Sequence, residues 1–193
     1  MKILRYGNTN TFYIPGTERG LLIDTDYAGM LPGFFRAVKE AGISTKDITY
    51  VLATHYHPDH IGILGDLQAL GITLLLIDVQ MDSVHFSDGI FSREKHLRFT
   101  PIDEKSAKVI SCAESRGFLQ SLGVAGEIIH TPSHSDDSVT VILDNGDCFA
   151  GDLEPHGYLA AYEENPGLEK DWNNIMSHHP KRIFYAHALS ETL

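Results

Sequence analysis

Hydrophobic residues in this chain recur at two spacings, and the changes from one to the other divide it into strands and helices. Residues 2 to 6, 11 to 14 and 20 to 24 are short apolar runs separated by Gly7-Asn8 and Pro15-Gly16, and they predict an antiparallel meander of three strands. Leu31, Phe34, Phe35 and Val38 follow helical spacing up to Ala41-Gly42, where glycine is a natural stop. The β-branched, apolar run 48 to 53 reads as a buried strand, so the order to this point is βββαβ. Leu64, Leu67, Gln68 and Leu70 predict a short helix ended by Gly71, and 72 to 77 is a continuous apolar run of strand length.

Residues 78 to 105 break the alternation. They mix charge with Phe86, Phe91 and Phe99 at no clean period, and read either as an insertion that caps a substrate or as a surface excursion. A helix from Glu114 to Leu122 buries Phe118, Leu119 and Leu122, and a strand follows at 127 to 129. The polar stretch Thr131 to Ser138 precedes strands at 138 to 143 and 147 to 150, joined by Asp144-Asn145-Gly146, a strong hairpin signal. After a loop-like 153 to 165, Asn165-Pro166 offers an N-cap with proline at the first helical position, and Leu168, Trp172, Ile175 and Met176 form a buried stripe. A last strand, 181 to 186, delivers His187.

Composition narrows the function classes. With 193 residues, 42% hydrophobic and 21% charged, the chain suits one domain over 1–193. Its formal charge of −11 argues against nucleic acid and anionic membrane surfaces, which need an excess of Lys and Arg on one face, and favours a small-molecule substrate. The start, Met1 to Tyr6, has no apolar leader segment, and no window approaches the ~18 apolar residues of a membrane span, so a cytoplasmic location is expected. Cys112 and Cys148 are far apart in sequence and read as reduced, buried thiols. A homo-oligomer stays an open option.

The densest chemistry is Thr54-His55-Tyr56-His57-Pro58-Asp59-His60, three imidazoles and a carboxylate between a strand and a helix. Those ligand types suit zinc, iron and manganese. Pro58 biases His57 towards an extended backbone, so His55 and His57 project alike, while Asp59 and His60 turn onto the next element. Two ligand pairs then face two points. His134, Asp152 and His187 each follow a predicted strand as well, and four loops converging on one rim would gather all seven groups.

Taken in order, His55-x-His57-x-Asp59-His60, the Thr131-Pro132-Ser133-His134 turn, Gly151-Asp152 and the C-terminal His187 resemble the metallo-β-lactamase superfamily, over nearly the whole chain. The resemblance implies an α+β fold, a four-layer αββα sandwich with the site on one edge. It implies that His55, His57 and His134 hold one divalent ion, that Asp59, His60 and His187 hold the other, and that Asp152 bridges them. The ions would be zinc, with iron or manganese as alternatives. Asp24, at an early strand end, would orient a ligating imidazole. Three departures stand out: Asp26 where the early strand often ends in Thr-Gly, Ser133 where glycine is usual before the third histidine, and Ala188 where glycine commonly follows the last. If Ser133 or Ala188 needed a positive φ, its backbone would be strained.

The implied activity is hydrolysis, in which a metal-bridged hydroxide attacks a small ester, thioester or lactone and Asp59, the catalytic candidate, ligates the metal and positions or deprotonates the water. Asp152, where the best-known zinc β-lactamases have cysteine, shifts the resemblance towards glyoxalase-II-like or lactonase-like members. An iron-dependent sulfur dioxygenase and a non-catalytic metal-binding or regulatory module are the alternatives. His156, Tyr158 and Tyr162 are candidate substrate contacts, whereas His85, His96, His130, His178 and His179 lie off the motif and take no role.

Overall fold

The computed structural model describes residues 1–161 and 165–193. Two sheets pack face to face. The first contains β1 (Lys2–Leu4), β2 (Thr11–Ile14), β3 (Gly20–Ile23), β4 (Ile48–Leu52), β5 (Thr73–Ile77) and β6 (Lys108–Ile110), in that order across the sheet. β1, β2 and β3 pair antiparallel, as the meander predicted, and β3 to β6 pair in parallel. The second sheet has the order β11 (Glu191–Thr192), β10 (Arg182–Phe184), β9 (Asp147–Phe149), β8 (Val139–Leu143), β7 (Gly126–His130). β6 and β11, short strands at the edges of the two sheets, go unannounced in the sequence.

Period-two alternation explains why these strands make two sheets with three apolar layers. Leu21, Ile23, Leu52, Leu75 and Ile77 of the first sheet meet Val139, Val141, Leu143, Phe149 and Phe184 of the second in the central layer. The intervening Leu22, Val51, Leu74 and Leu76 face outward and are covered by Phe34, Ala37 and Val38 of α1 (Leu31–Glu40) and by Ile61, Leu64 and Leu67. On the other side Ile142, Cys148 and Ile183 pack against Leu168, Trp172 and Ile175 of α6 (Pro166–Ser177). Strands buried on both faces read as unbroken apolar runs, and that is how 72 to 77 reads. The four-layer αββα sandwich is therefore present as expected.

Ile61 belongs to α2 (Pro58–Ile61), and Leu64 and Leu67 to α3 (Leu64–Ala69), so the single helical stretch expected after the histidine cluster is two short helices. Residues 78 to 105 contain a turn over Asp78–Ser83 and α4 (Asp88–Phe91). Phe91 stacks on Phe99, centroids 4.2 Å apart, and is buried. α5 (Cys112–Ser121) begins at Ser111 with a reciprocal capping box to Glu114 and lies along β7. No described helix is long and apolar enough to cross a membrane.

Candidate metal centre

β4 ends at Leu52, and the chain enters the cluster with its backbone still extended. His57 has φ −70° and ψ 154°, as the following proline dictates, and it caps α2, whose first turn holds Asp59 and His60. The imidazoles of His55 and His57 accordingly point the same way, with Nε2 of His55 3.0 Å from Nδ1 of His57. Asp59 and His60 diverge from them around the helix.

β7, β9 and β10 run in one direction in the second sheet, so their C-terminal ends reach the same rim as the end of β4. His134 after β7 places Nε2 3.1 Å from His57 Nδ1. His187 after β10 places Nε2 3.1 Å from Asp59 Oδ2 and donates from Nδ1 to the carbonyl of Asn8 at 3.1 Å, which leaves Nε2 free to ligate. Between the two sets stands Asp152. Its Oδ2 is 3.9 Å from Nε2 of both His55 and His134, and its Oδ1 is 3.3 Å from His60 Nε2 and 3.4 Å from His187 Nε2. Gly151 makes that approach feasible: its φ is +58°, and a Cβ there would lie 2.6 Å from Thr54 Oγ1.

All seven residues expected from the sequence thus meet in one place, as three overlapping groups: His55, His57, His134; His55, His60, Asp152; and Asp59, His60, His187. Within each group the donor atoms are no more than 4.8 Å apart. Nitrogens bound at ~2.0–2.1 Å to one tetrahedral ion stand ~3.3–3.4 Å apart, so the 3.0 and 3.1 Å separations around His57 suit a shared cation. His60 Nε2 and Asp152 Oδ1 are buried without a hydrogen-bond partner among the described residues, a costly arrangement for polar atoms that a cation between them would satisfy.

The titration behaviour of the metal-free protein follows from the same crowding. Burial, then the neighbouring imidazoles of His60, His134 and His57, hold His55 far below the ordinary histidine value. Burial would lower His60 too, but Asp24 and Asp152 outweigh it and push His60 up to about 10. The hydrogen bond from His187 outweighs burial at Asp59 and holds its carboxyl at about 2, and the same bond raises His187.

The metallo-beta-lactamase superfamily model matches residues 4–187. The chain belongs to that superfamily. It is 28% identical over 180 residues to the Beta-lactamase-like protein 2 homolog of Drosophila melanogaster, a match covering 93% of this chain and 58% of that protein, so the chain spans less than two thirds of that relative. Among solved structures, the metallo-beta-lactamase family protein TTHA1429 from Thermus thermophilus superposes with a TM-score of 0.72 at 19% identity, over 95% of this chain and 70% of that one. TTHA1623 in a di-iron-bound form superposes with 0.74 at 21% identity, over 100% and 94%. At such identities these likenesses establish the metallo-beta-lactamase fold.

Support for the seven residues comes partly from places the sequence did not single out. In the loop after β1, Thr9 donates from Oγ1 to the Asp59 carbonyl at 2.7 Å, and Asp26 accepts from the backbone N–H of Thr9 at 3.0 Å and of Tyr27 at 2.7 Å. Asp26, a departure from the superfamily pattern, thereby ties the Asn8-Thr9 loop to β3. Gln80, fully buried, donates from Nε2 to the carbonyls of Ala53, Thr54 and Asp137, and Asp137 accepts from the backbone N–H of Tyr56 at 2.7 Å. These residues join the His55 loop to the His134 loop. Their only sequence signal is polarity inside apolar or turn-rich stretches, which does not reveal a partner.

The strain expected at Ser133 and Ala188 is absent, because neither has a positive φ. Ser133 instead donates its backbone N–H to buried Asp171 at 2.8 Å. The left-handed non-glycine residues among those described are Asp24 and His179, at φ 58° and 54°. His156 packs its ring on Trp172, centroids 5.1 Å apart, and belongs to none of the donor groups; Tyr158 is exposed, and Tyr162 lies outside the described residues. His85, His130 and His178 bind Asp88 and Glu104, the Asp136 carbonyl, and Glu127 respectively.

Proposed function

We propose that the chain is a metal-dependent hydrolase of small esters, thioesters or lactones, working with two divalent ions. The observation that carries this reading is the division of Asp152, one carboxylate oxygen towards His55 and His134 and the other towards His60 and His187. A single-ion site has no need of a carboxylate with both oxygens so disposed. His55, His57 and His134 would hold one ion, Asp59, His60 and His187 the other, and Asp152 both. Ions at those positions would supply a water of lowered pKa and polarise an acyl oxygen.

The protein's own residues set up the rest. Asp59, with its carboxyl held at about 2, stays ionised at neutral pH, which makes it an acceptor that orients an attacking water rather than a store for its proton. Thr9 fixes the backbone of Asp59, and Asn8 fixes the ring of His187. The formal charge of −11 supports a small substrate over a polyanion, and residues 78 to 105 contribute a wall of the cleft through Ser83 and Phe86.

A second reading, iron-dependent oxidation of a small sulfur compound, draws on the similar structure solved in a di-iron-bound form. Metal content and a panel of esters, thioesters, lactones and persulfides, measured on one natively purified sample, separate the two. Zinc or manganese at two ions per chain with acyl hydrolysis is the expected result. Iron without zinc, and oxygen uptake with a persulfide, would overturn the hydrolase. Equal turnover by Asp59→Ala and the parent would count against the catalytic role of Asp59, and no turnover of any substrate by the metal-loaded parent would point to a binding module.

A further inference from the structure

Two cavities are lined in part by residues of the donor cluster. One, of about 410 Å³, is lined by Tyr56, His57, Ser83, Phe86, Asp136 and Asp137. The other, of about 260 Å³, is bounded by His134, Asp152, Glu154, Pro155, Tyr185 and His187. The chain has 15 Lys and Arg residues, yet none lines either cavity among the residues described. A phosphate or distal carboxylate lying in the larger cavity away from the metal positions would meet Asp136 and Asp137 and no guanidinium or ammonium, so a polyanionic carrier group held there has no cationic side chain to bind.

Phe86 is the apolar feature of the larger cavity. Its side chain is 66% exposed, while the backbone around it is held: Phe86 N–H donates to Ser83 at 2.9 Å, and buried Ser87 donates to the Tyr56 carbonyl at 2.8 Å. Tyr56 lies between the ligands His55 and His57, so the ring is indexed to the donor cluster. Its centroid is 6.2 Å from that of His57. Because Phe86 lines the same cavity as His57, a ligand that enters that cavity to reach the candidate reaction centre would cover the ring.

We propose that Phe86 determines specificity, forming with Tyr56 and Ser83 a subsite for the apolar, aromatic or branched acyl group of an uncharged substrate. The inference rests on the hydrolase reading for the bond that is cleaved, and on the cleft alone for the group that is bound. In the reaction water adds across the acyl–oxygen or acyl–sulfur bond, the acid is released, and the water's second proton ends on the alcohol or thiol. Substrates with an anionic group away from the scissile bond are disfavoured by the carboxylates on the cavity wall.

Three thioesters test this on the metal-loaded protein: phenylacetyl-N-acetylcysteamine, its acetyl counterpart, and the phenylacetyl thioester of mercaptoethanesulfonate. The first should exceed the other two at least tenfold in kcat/KM, and Phe86→Ala should remove its advantage over the acetyl compound by raising KM, with Phe86→Trp restoring it. Calorimetry with phenylacetamide and 4-sulfophenylacetamide reads the subsite without turnover, and only the uncharged amide should bind, in a manner lost in Phe86→Ala. Hydrolysis indifferent to acyl group, sulfonate and Phe86→Ala would overturn the subsite and leave the hydrolase standing. Phe86-dependent amide binding without any hydrolysis would sustain the subsite and overturn the hydrolase. Neither binding nor turnover would remove both.

Discussion

Asp24 Oδ2 lies 3.3 Å from Nδ1 of His60, and both side chains are completely excluded from solvent. Asp24 reaches that position only by adopting φ 58°, a conformation that costs a residue with a Cβ ~1–3 kcal/mol, although aspartate tolerates it better than most. The Thr54 backbone N–H and hydroxyl donate to Oδ1 at 2.6 and 3.0 Å, and these bonds offset part of the desolvation of a buried carboxylate. Asp24 therefore fixes the His60 ring so that Nε2 faces Asp152 and the metal position. Asp24→Ala is expected to weaken metal binding at the Asp59, His60, His187 set by ~10- to 100-fold, as loss of such an orienting partner typically does. Chelator competition followed by metal analysis measures it; parent-like retention of both ions would refute the role.

The pH dependence of stability has a definite sign on each side. His60 is raised from 6.5 to about 10 in the metal-free protein, so its contribution is complete below 6.5 and is lost as pH rises towards 10. His55 is lowered from 6.5, so the unfolded chain takes up a proton that the folded one refuses, and stability falls as pH drops below 6.5. Asp59, lowered from 3.8 to about 2, adds a further loss below 3.8. Thermal melts of the metal-free protein should therefore peak near 6.5. Metal loading should flatten the alkaline limb, because a ligating His60 is already neutral; an unchanged alkaline limb would contradict the assignment.

Charging His60 has a second consequence. At neutral pH a metal must displace its proton, so binding should release about one proton per chain from this residue, seen calorimetrically as a heat that changes with the ionisation enthalpy of the buffer. A buffer-independent heat would show that His60 is not displaced.

Replacing Asp152 by Ala removes the one carboxylate that faces both donor sets. The expected result is a chain that retains at most one tightly held ion and loses at least 100-fold in turnover. Metal stoichiometry and kinetics on the same preparation decide it, and two retained ions would exclude bridging.

Gln80 predicts the opposite balance. Gln80→Leu leaves the carbonyls of Ala53, Thr54 and Asp137 without that donor in a dry setting, at ~1–3 kcal/mol for each group that finds no substitute. Denaturant titration should show the loss in the metal-free protein, with Gln80→Glu failing to restore it because a carboxylate cannot donate. A variant as stable as the parent would mean that the loops are held by other contacts.

Several elements were legible from pattern alone: the meander of β1 to β3, the stripe of α1, the Asp144-Asn145-Gly146 hairpin, and the N-cap at Asn165, whose side chain accepts from Leu168 N–H. Each depends on contacts between residues near in sequence. β6 and β11 were not legible: unlike β1, which a turn joins to its partner β2, β6 pairs with β5 across the 78 to 105 excursion, and β11 is a two-residue polar segment whose form comes from pairing with β10. Residues 78 to 105 resisted reading because their order comes from distant partners, such as Thr100 on Asp66 at 2.6 Å and Tyr27 on Glu94 at 2.9 Å.

By itself the sequence determined which atoms are available to a metal: His55, His57, His134, Asp152 and His187, each in a loop that follows a strand, and Asp59 and His60 on the helix that continues the first of those loops. It also determined that His55 and His57 project together, because Pro58 restricts the backbone before it. Only the tertiary structure decided that Asp152 presents one oxygen to each donor set, that strain resides at Asp24 rather than at Ser133 or Ala188, and that Phe86 stands over His57. Backbone preferences are local and can be read along the chain. The relative placement of loops from two sheets is fixed by the central apolar layer between them, and by buried donors such as Gln80 and Thr9 whose carbonyl partners lie 26 or more residues away.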